Sequence, residues 1–314
     1  MIRIGTRGSQ LARWQSTWVA ERLREHYPGF EVELVEIKTL GDRDRNSPLA
    51  AIGGMGLFTK EIQRAVSDGI VDLAVHSLKD LPTQSPADLI LGAVPAREDV
   101  ADALISPIHR TLDAIPPGGR VGTSSPRRRA QLLYRRPDLE VVAIRGNVET
   151  RLNHALDGRL DAVILASAGL RRLGLERHIT QRLAPPEFLP AVGQGALGIE
   201  CRADAHSVRL MLEPLNDPAT RRAVEAERSA LAALQGGCTL PVAAWARDVD
   251  DTETVDSGLA LDATVFDPDG RAAVSVSLSG SRHGALELGE RVARALLDQG
   301  ASALLGKLVH GGNE

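Results

Sequence analysis

A chain of 314 residues is long enough for two or three domains, and 43% hydrophobic with 25% charged residues is ordinary for a globular protein in water. The formal charge of −4 speaks against general nucleic-acid binding, and with four Phe, three Trp and two Tyr the cores must be built from Leu, Val, Ile and Ala. Two cysteines, Cys201 and Cys238, make no disulfide framework, and no C-x-x-C or Cys/His cluster has zinc spacing, so no metal is expected.

In chain order, Ile2-Arg3-Ile4 predicts a strand, Ser9 to His26 a helix, Val32 to Ile37 a strand, Leu57 to Ser67 a helix and Leu73 to Val75 a buried strand. No basic region followed by an apolar one opens the chain, so no signal peptide is expected. The longest uncharged run, Ser229 to Ala246, contains Gln, Gly-Gly, Thr and Pro and is no membrane span. A reducing cytoplasm fits these features.

The alternation of strand and helix indicates α/β units, and two of them echo each other. Gly5-Thr6-Arg7-Gly8-Ser9 follows the first strand and opens a helix; Gly122-Thr123-Ser124-Ser125 follows Arg120-Val121 and opens another. Downstream, Asp68-Gly69 leads to Leu73-Ala74-Val75 as Asp157-Gly158 leads to Ala162-Val163-Ile164. Asp-Gly turns are common, but two matched elements in the same order point to a repeated lobe. Two such lobes imply a cleft, with helix N-termini supplying free N–H groups and hydroxyls for an anion. From Pro218 the pattern changes. A helix over Ala219 to Leu234 precedes strands at Val242 to Ala246, Leu259 to Phe266 and Ala272 to Leu278, then a helix from Ala285 to Leu297. That order predicts a small α+β domain with an antiparallel sheet, and Asp248 to Ser257 an exposed acidic turn.

Four features carry chemistry. Residues 120 to 151 hold eight Arg against three acids, and Arg127, Arg128, Arg129, Arg145 and Arg151 flank Gly and Ser turns instead of lining a polar helix face. Arginine forks of this kind fit a ligand with several carboxylates or phosphates, against the plainer reading of a solvated basic face. His76-Ser77-Leu78-Lys79-Asp80-Leu81-Pro82 ends a buried strand, where open α/β sheets bind ligands. There Lys79 suits an anion and Asp80 suits a developing cation or a proton, although a surface Lys-Asp pair is the default for such residues alone. His76 is expected to be structural. Gly53-Gly54-Met55-Gly56 predicts a mobile loop with Phe58 as an apolar tip, a lid in preference to a phosphate loop, since no G-x-x-x-x-G-K-[ST] occurs. Finally, Cys238 follows Gly236-Gly237 and precedes Pro241, so two readings fit it: a thiol placed to hold or attack a ligand, or a loop cysteine without a task.

Taken in order, these segments resemble the porphobilinogen deaminase family over essentially the whole chain. The likeness is carried by Arg3-Ile4-Gly5-Thr6-Arg7-Gly8-Ser9, Val75 to Pro82, Val121 to Arg128, Arg145-Gly146-Asn147-Val148, Ala191-Val192-Gly193-Gln194-Gly195-Ala196 and Gly236-Gly237-Cys238. The resemblance implies two α/β lobes like those of type II periplasmic binding proteins plus a small α+β C-terminal domain with a three-stranded antiparallel sheet. The expected domains are 1–95 with 196–215, 100–190, and 218–314. It implies one covalent dipyrromethane cofactor, bound by a thioether to Cys238. On it four porphobilinogen molecules would be deaminated through an electrophilic azafulvene, joined, and released by water as a linear tetrapyrrole. Asp80 is then the catalytic carboxylate. Lys79, Asp80, Thr123, Ser124, Ser125, Arg127, Arg128, Arg145, Gly146 and Gln194 are expected at the cofactor, and Arg7, Ser9, Phe58, Arg145, Arg151 and Arg172 at the substrate. Met55 stands where relatives often have Lys. A cytoplasmic monomer with no nucleic-acid or membrane partner is expected. The competing reading from another class, a non-catalytic two-lobed anion-binding protein, leaves Cys238, Asp80 and the third region without a role.

Overall fold

The first strand, β1 (Ile2–Thr6), turns directly into α1 (Gln10–His26), because the Ser9 hydroxyl accepts a hydrogen bond from the Ala12 amide and caps the helix. β2 (Val32–Glu36) follows; the computed structural model describes residues 1–39, 59–234, 240–249 and 258–310. α2 (Lys60–Ser67) leads into β3 (Leu73–Ser77), which ends in the 3-10 turn Leu78–Asp80. Then come β4 (Leu89–Ala93), β5 (Asp102–Ile105), β6 (Arg120–Gly122), α3 (Pro126–Arg135), β7 (Glu140–Val142) and α4 (Val148–Leu156). β8 (Ala162–Ala166), α5 (Ser167–Arg172), β9 (Gln181–Leu183), β10 (Leu197–Arg202) and α6 (His206–Leu212) continue the chain. The rest is α7 (Pro218–Ala233), β11 (Val242–Val249), β12 (Gly258–Phe266), β13 (Ala273–Ser281), α8 (Ala285–Asp298) and α9 (Ala301–His310). Among the described residues no helix is long and apolar enough to cross a membrane.

The chain divides into two compact units, residues 1–98 with 195–221, and residues 99–194 with 222–314. The sheet of the first has the order β2-β1-β3-β10-β4, with β1, β2 and β3 parallel and β10 antiparallel to both its neighbours. The second unit holds a sheet of order β7-β6-β8-β5-β9, parallel across β6, β7 and β8, with β5 antiparallel to β8 and β9. Substituting strand for strand gives the same arrangement, so the two sheets share one topology. The repeat extends to the turns. α2 and α4 each end at an Asp followed by a glycine in the left-handed region, Gly69 and Gly158, both at φ 69°, before β3 and β8.

Each sheet is sandwiched. In the first unit Ile4, Leu73, Val75 and Ile199 pack on Val19 and Leu23 of α1, while Ala74 on the opposite face meets Ile62 and Val66 of α2. The second sheet is covered likewise, by Leu132 of α3 on Val121 and Ile164, and by Leu152 and Leu170 on Ile105 and Leu165. Period-2 alternation fails in such strands because both faces are buried. The second unit also carries the three-stranded antiparallel sheet β11-β12-β13. One face of that sheet, with Leu259, Leu261, Ala263 and Val265, lies on Ala226, Ala230, Val292 and Leu296 of α7 and α8.

Candidate functional site

In the first unit the sequence places Lys79 and Asp80 at the carboxyl end of β3, the middle strand of its sheet. The turn that carries them is fixed from within. Leu78 is 1% exposed, its amide donates to Ala196 O at 3.0 Å, and the Leu81 amide closes the turn on Leu78 O at 3.1 Å. Gly198 of β10 lies against it: a Cβ there would sit 2.8 Å from Leu78 Cδ1, so glycine is what lets the turn settle on the strand. From the α1 side, Gln15 Nε2 donates to Ser77 Oγ at 2.7 Å. Asp80 itself is exposed and Lys79 half-buried, so the anchored turn presents the Asp80 carboxylate at the surface. Arg7 is half-buried in the β1–α1 turn, and Ser9 spends its hydroxyl on the α1 cap at 3.3 Å.

In the second unit Thr123, Ser124 and Ser125 form the equivalent turn, between β6 and α3. Ser125 Oγ caps α3 by accepting from the Arg128 amide at 3.4 Å, and Pro126 occupies the first turn, where no helical N–H partner is needed. Thr123 Oγ1 accepts from the Ser125 amide at 3.2 Å, and the Ser124 hydroxyl donates to Ile144 O. Arg127 and Arg128 point inward, at 3% and 6% exposure, onto the fully buried Asp102 of β5. Arg127 Nη1 lies 2.7 Å from Asp102 Oδ2 and also donates to Leu189 O at 2.7 Å. Arg128 Nη2 lies 2.7 Å from Asp102 Oδ1, and its Nε donates to the same oxygen at 2.9 Å. Gln194 Nε2 donates to Asp102 Oδ1 at 2.9 Å and to Val100 O at 2.8 Å, while its Oε1 accepts from both arginines at 3.4 Å. Arg129, the third of the run, turns outward, 3.5 Å from Asp269.

Electrostatically the cluster is lopsided. Burial alone would raise the Asp102 carboxyl, but two guanidiniums with their hydrogen bonds outweigh it and hold the group far below the usual carboxylate range. Arg127 is pushed down, first by burial and then by Arg128, with Asp102 opposing. Two cations thus share one anion, and the buried Arg127 Nε has no hydrogen-bond partner. Such a site favours an added anionic group.

The remaining predicted residues fall at a neighbouring turn and outside. Arg145 is half-buried just before Gly146, whose φ of 107° opens the entry to α4, and Arg151 Nε donates back to Gly146 O at 2.8 Å. Arg172 is half-buried in the last turn of α5. Phe58, Cys238 and the glycine-rich segment with Met55 lie outside the described residues, as do residues 250–257 of the expected acidic turn. Sequence reasoning passed over Asp102 and Glu200, each fully buried on an antiparallel strand. Their signal was present: a single carboxylate within Ala101-Asp102-Ala103-Leu104-Ile105 and within Leu197-Gly198-Ile199-Glu200-Cys201. An acid in an otherwise apolar strand is rarely buried without a partner.

Comparison with known proteins gives a consistent picture. The family model described as porphobilinogen deaminase, dipyromethane cofactor binding domain, matches residues 2–210, and that for the porphobilinogen deaminase C-terminal domain matches residues 221–298. A porphobilinogen deaminase of Geotalea daltonii is 47% identical over 307 residues, covering 98% of this chain and 94% of the relative. That of Geobacter sulfurreducens is 48% identical over 307 residues, with the same coverage of 98% and 94%. Among solved structures, a periplasmic substrate-binding protein of an ABC transporter from Coxiella burnetii aligns with 70% of this chain and 94% of its own at 14% identity and a TM-score of 0.44.

Proposed function

The chain belongs to the porphobilinogen deaminase family, and we propose that Asp80 is the carboxylate on which its chemistry turns. The protein is a transferase of tetrapyrrole biosynthesis with a dipyrromethane cofactor. It deaminates porphobilinogen, joins four molecules head to tail and releases hydroxymethylbilane by hydrolysis. When bound, the dipyrromethane supplies the free α-carbon of a terminal pyrrole as nucleophile.

The observation that carries the Asp80 reading is its setting: an exposed carboxylate on a backbone turn anchored by Leu78 at the carboxyl end of the central strand. Its oxygens accept pyrrole N–H groups, and its charge stabilises the cation that develops as ammonia leaves the incoming ring. The same carboxylate is assigned the proton displaced when rings join. Lys79 adds a point charge for a ring carboxylate. Arg127 and Arg128, with Gln194 behind them and Thr123, Ser124 and Ser125 beside them, are assigned to the cofactor. The surplus positive charge around Asp102 and the unpartnered Arg127 Nε support that assignment, because acetate and propionate groups are the anions such a cluster lacks. Arg145 and Gly146 extend this set, and Arg7, Ser9, Phe58, Arg151 and Arg172, with Arg145, are assigned to the carboxylates and ring of the substrate. Cys238 is assigned the thioether. Three domains are assigned, 1–95 with 196–215, 100–190 and 218–314, and the three sheets, each with its own core, support that division. We further assign the chain to the cytoplasm as a monomer acting without nucleic acid or membrane; two cysteines in 314 residues agree with a reducing compartment.

The test joins mass and turnover. Wild-type protein should carry an excess of two pyrrole units by intact mass, and Cys238→Ser none. Asp80→Asn should keep its fold and lose nearly all turnover. A wild-type rate in D80N would overturn the role of Asp80, and a pyrrole adduct on Cys238→Ser would overturn that of Cys238.

A further inference from the structure

We propose that Glu200 is a positioning residue for Asp80: from the antiparallel strand β10 its carboxylate fastens the segments that frame the Leu78–Asp80 turn. The inference rests on the reading of Asp80 as the catalytic carboxylate. Glu200 is 0% exposed, and its Oε2 lies 3.2 Å from Nε2 of His76, which enters the turn through Ser77. Ser85, on the stretch that leaves the turn, donates its hydroxyl to Oε1 at 3.2 Å. Gln63, in α2, donates its amide to both oxygens at 3.1 and 3.0 Å. Strand register shifts between Ile199 and Glu200 where β10 pairs with β4, an irregularity of the kind that re-aims a side chain. Two residues earlier on the same strand, Gly198 receives Leu78 of the turn.

A carboxylate in a core is a poor device for stability alone, since apolar replacements of equal volume often do as well. What distinguishes this one is where its partners sit: before the turn, after it and on the helix alongside. The Glu200 carboxyl lies below its ordinary range. Burial opposes this, but His76, Gln63 and Ser85 together prevail, so the clamp works in its ionised form. Neutralising it weakens the acceptor that holds Gln63 and Ser85 while keeping the bulk, which loosens the turn without emptying the core.

The experiment compares holoenzyme carrying Glu200→Gln with wild type and with Asp80→Asn, using porphobilinogen as substrate. E200Q should retain its dipyrromethane by intact mass, keep KM within about threefold, and lose roughly 10- to 100-fold in kcat, the range that a small misplacement of a reacting group costs. A merely structural role predicts lost cofactor or lost folded protein at unchanged kcat per loaded molecule, and that result, or an unaltered kcat, overturns the proposal. If D80N turns over normally, the reading of Asp80 fails and this inference falls with it. An inactive D80N beside a fully active E200Q removes Glu200 alone. Should E200Q not fold, Ser85→Ala and His76→Asn each delete one arm of the clamp, and the same split between kcat and KM in those variants decides.

Discussion

At Asp102 a single carboxylate answers two guanidiniums, all shut away from water. Replacing it by Asn leaves two buried cations without an anion, and breaking a buried pair in this way costs about 3–5 kcal/mol. Urea unfolding of D102N against wild type measures the loss, and a difference under about 1 kcal/mol would show that the arginines find another partner. The same group sets an acid limit. Its folded value is depressed below the ordinary 3.8, so its stabilisation is complete above that pH and is lost as pH falls toward the folded value. The gap between wild type and D102N should therefore close by about 1.4 kcal/mol per pH unit once pH is well below about 4. A constant gap between pH 5 and 2 would contradict it. Arg127 and Arg128 were conspicuous in the sequence as charge beside a Ser-Ser turn. Their inward aim was not, because the acid they face lies 25 and 26 residues away, on strand β5.

Elements were legible in proportion to their length and to how unevenly their faces are exposed. α1 and α8 showed helical spacing because one face is buried and the other wet, and the Ser9 cap marked the start of α1. β5 gave no comparable signal: all four of its residues are buried, so nothing alternates, and β7 and β9, with three residues each, are too short for a period. Gly289 shows a second limit. By propensity alone a glycine inside α8 is a weak point, but the structure has it at the crossing with α7. A Cβ there would lie 2.4 Å from Ala226 O and 2.8 Å from Ala230 N, main-chain atoms that cannot swing aside. Although alanine favours a helix by up to about 1 kcal/mol over glycine, Gly289→Ala should destabilise by roughly 1–3 kcal/mol as the helices are forced apart. Thermal unfolding decides: a raised Tm would mean that propensity outweighs packing at this site.

On the scale of the whole chain the repeat was visible as two Gly-Thr turns and two Asp-Gly turns, yet strand order was not. Hydropathy does not say that β10 returns to lie between β3 and β4, or that β5 takes the corresponding place between β8 and β9. In both sheets the antiparallel strand carries a fully buried acid at different register positions, Glu200 tied to the segments around the Leu78–Asp80 turn of the first unit and Asp102 to Arg127 and Arg128 of the second. A third acid links the two sheets of the second unit. Glu227 of α7 is 0% exposed; its Oε2 accepts from the Gly193 amide at 2.7 Å and its Oε1 from the Ala246 amide of β11 at 2.9 Å. Ala130, Leu189, Ala243 and Phe266 share one apolar cluster across the same junction, and the Ala244 amide donates to Pro190 O. The cluster alone is small, so the carboxylate is expected to couple the opening of the β11-β12-β13 sheet to that of the larger one. Glu227→Ala would strand two buried amides at about 1–3 kcal/mol each. Native-state hydrogen exchange should then show β12 amides opening at a free energy lower by about 2–4 kcal/mol, with β8 amides shifted by less than roughly 1 kcal/mol. Glu227→Gln, which keeps one acceptor, should fall between. If β8 and β12 lose protection equally in E227A, the sheets are joined by the apolar cluster, and Glu227 only stabilises the unit as a whole.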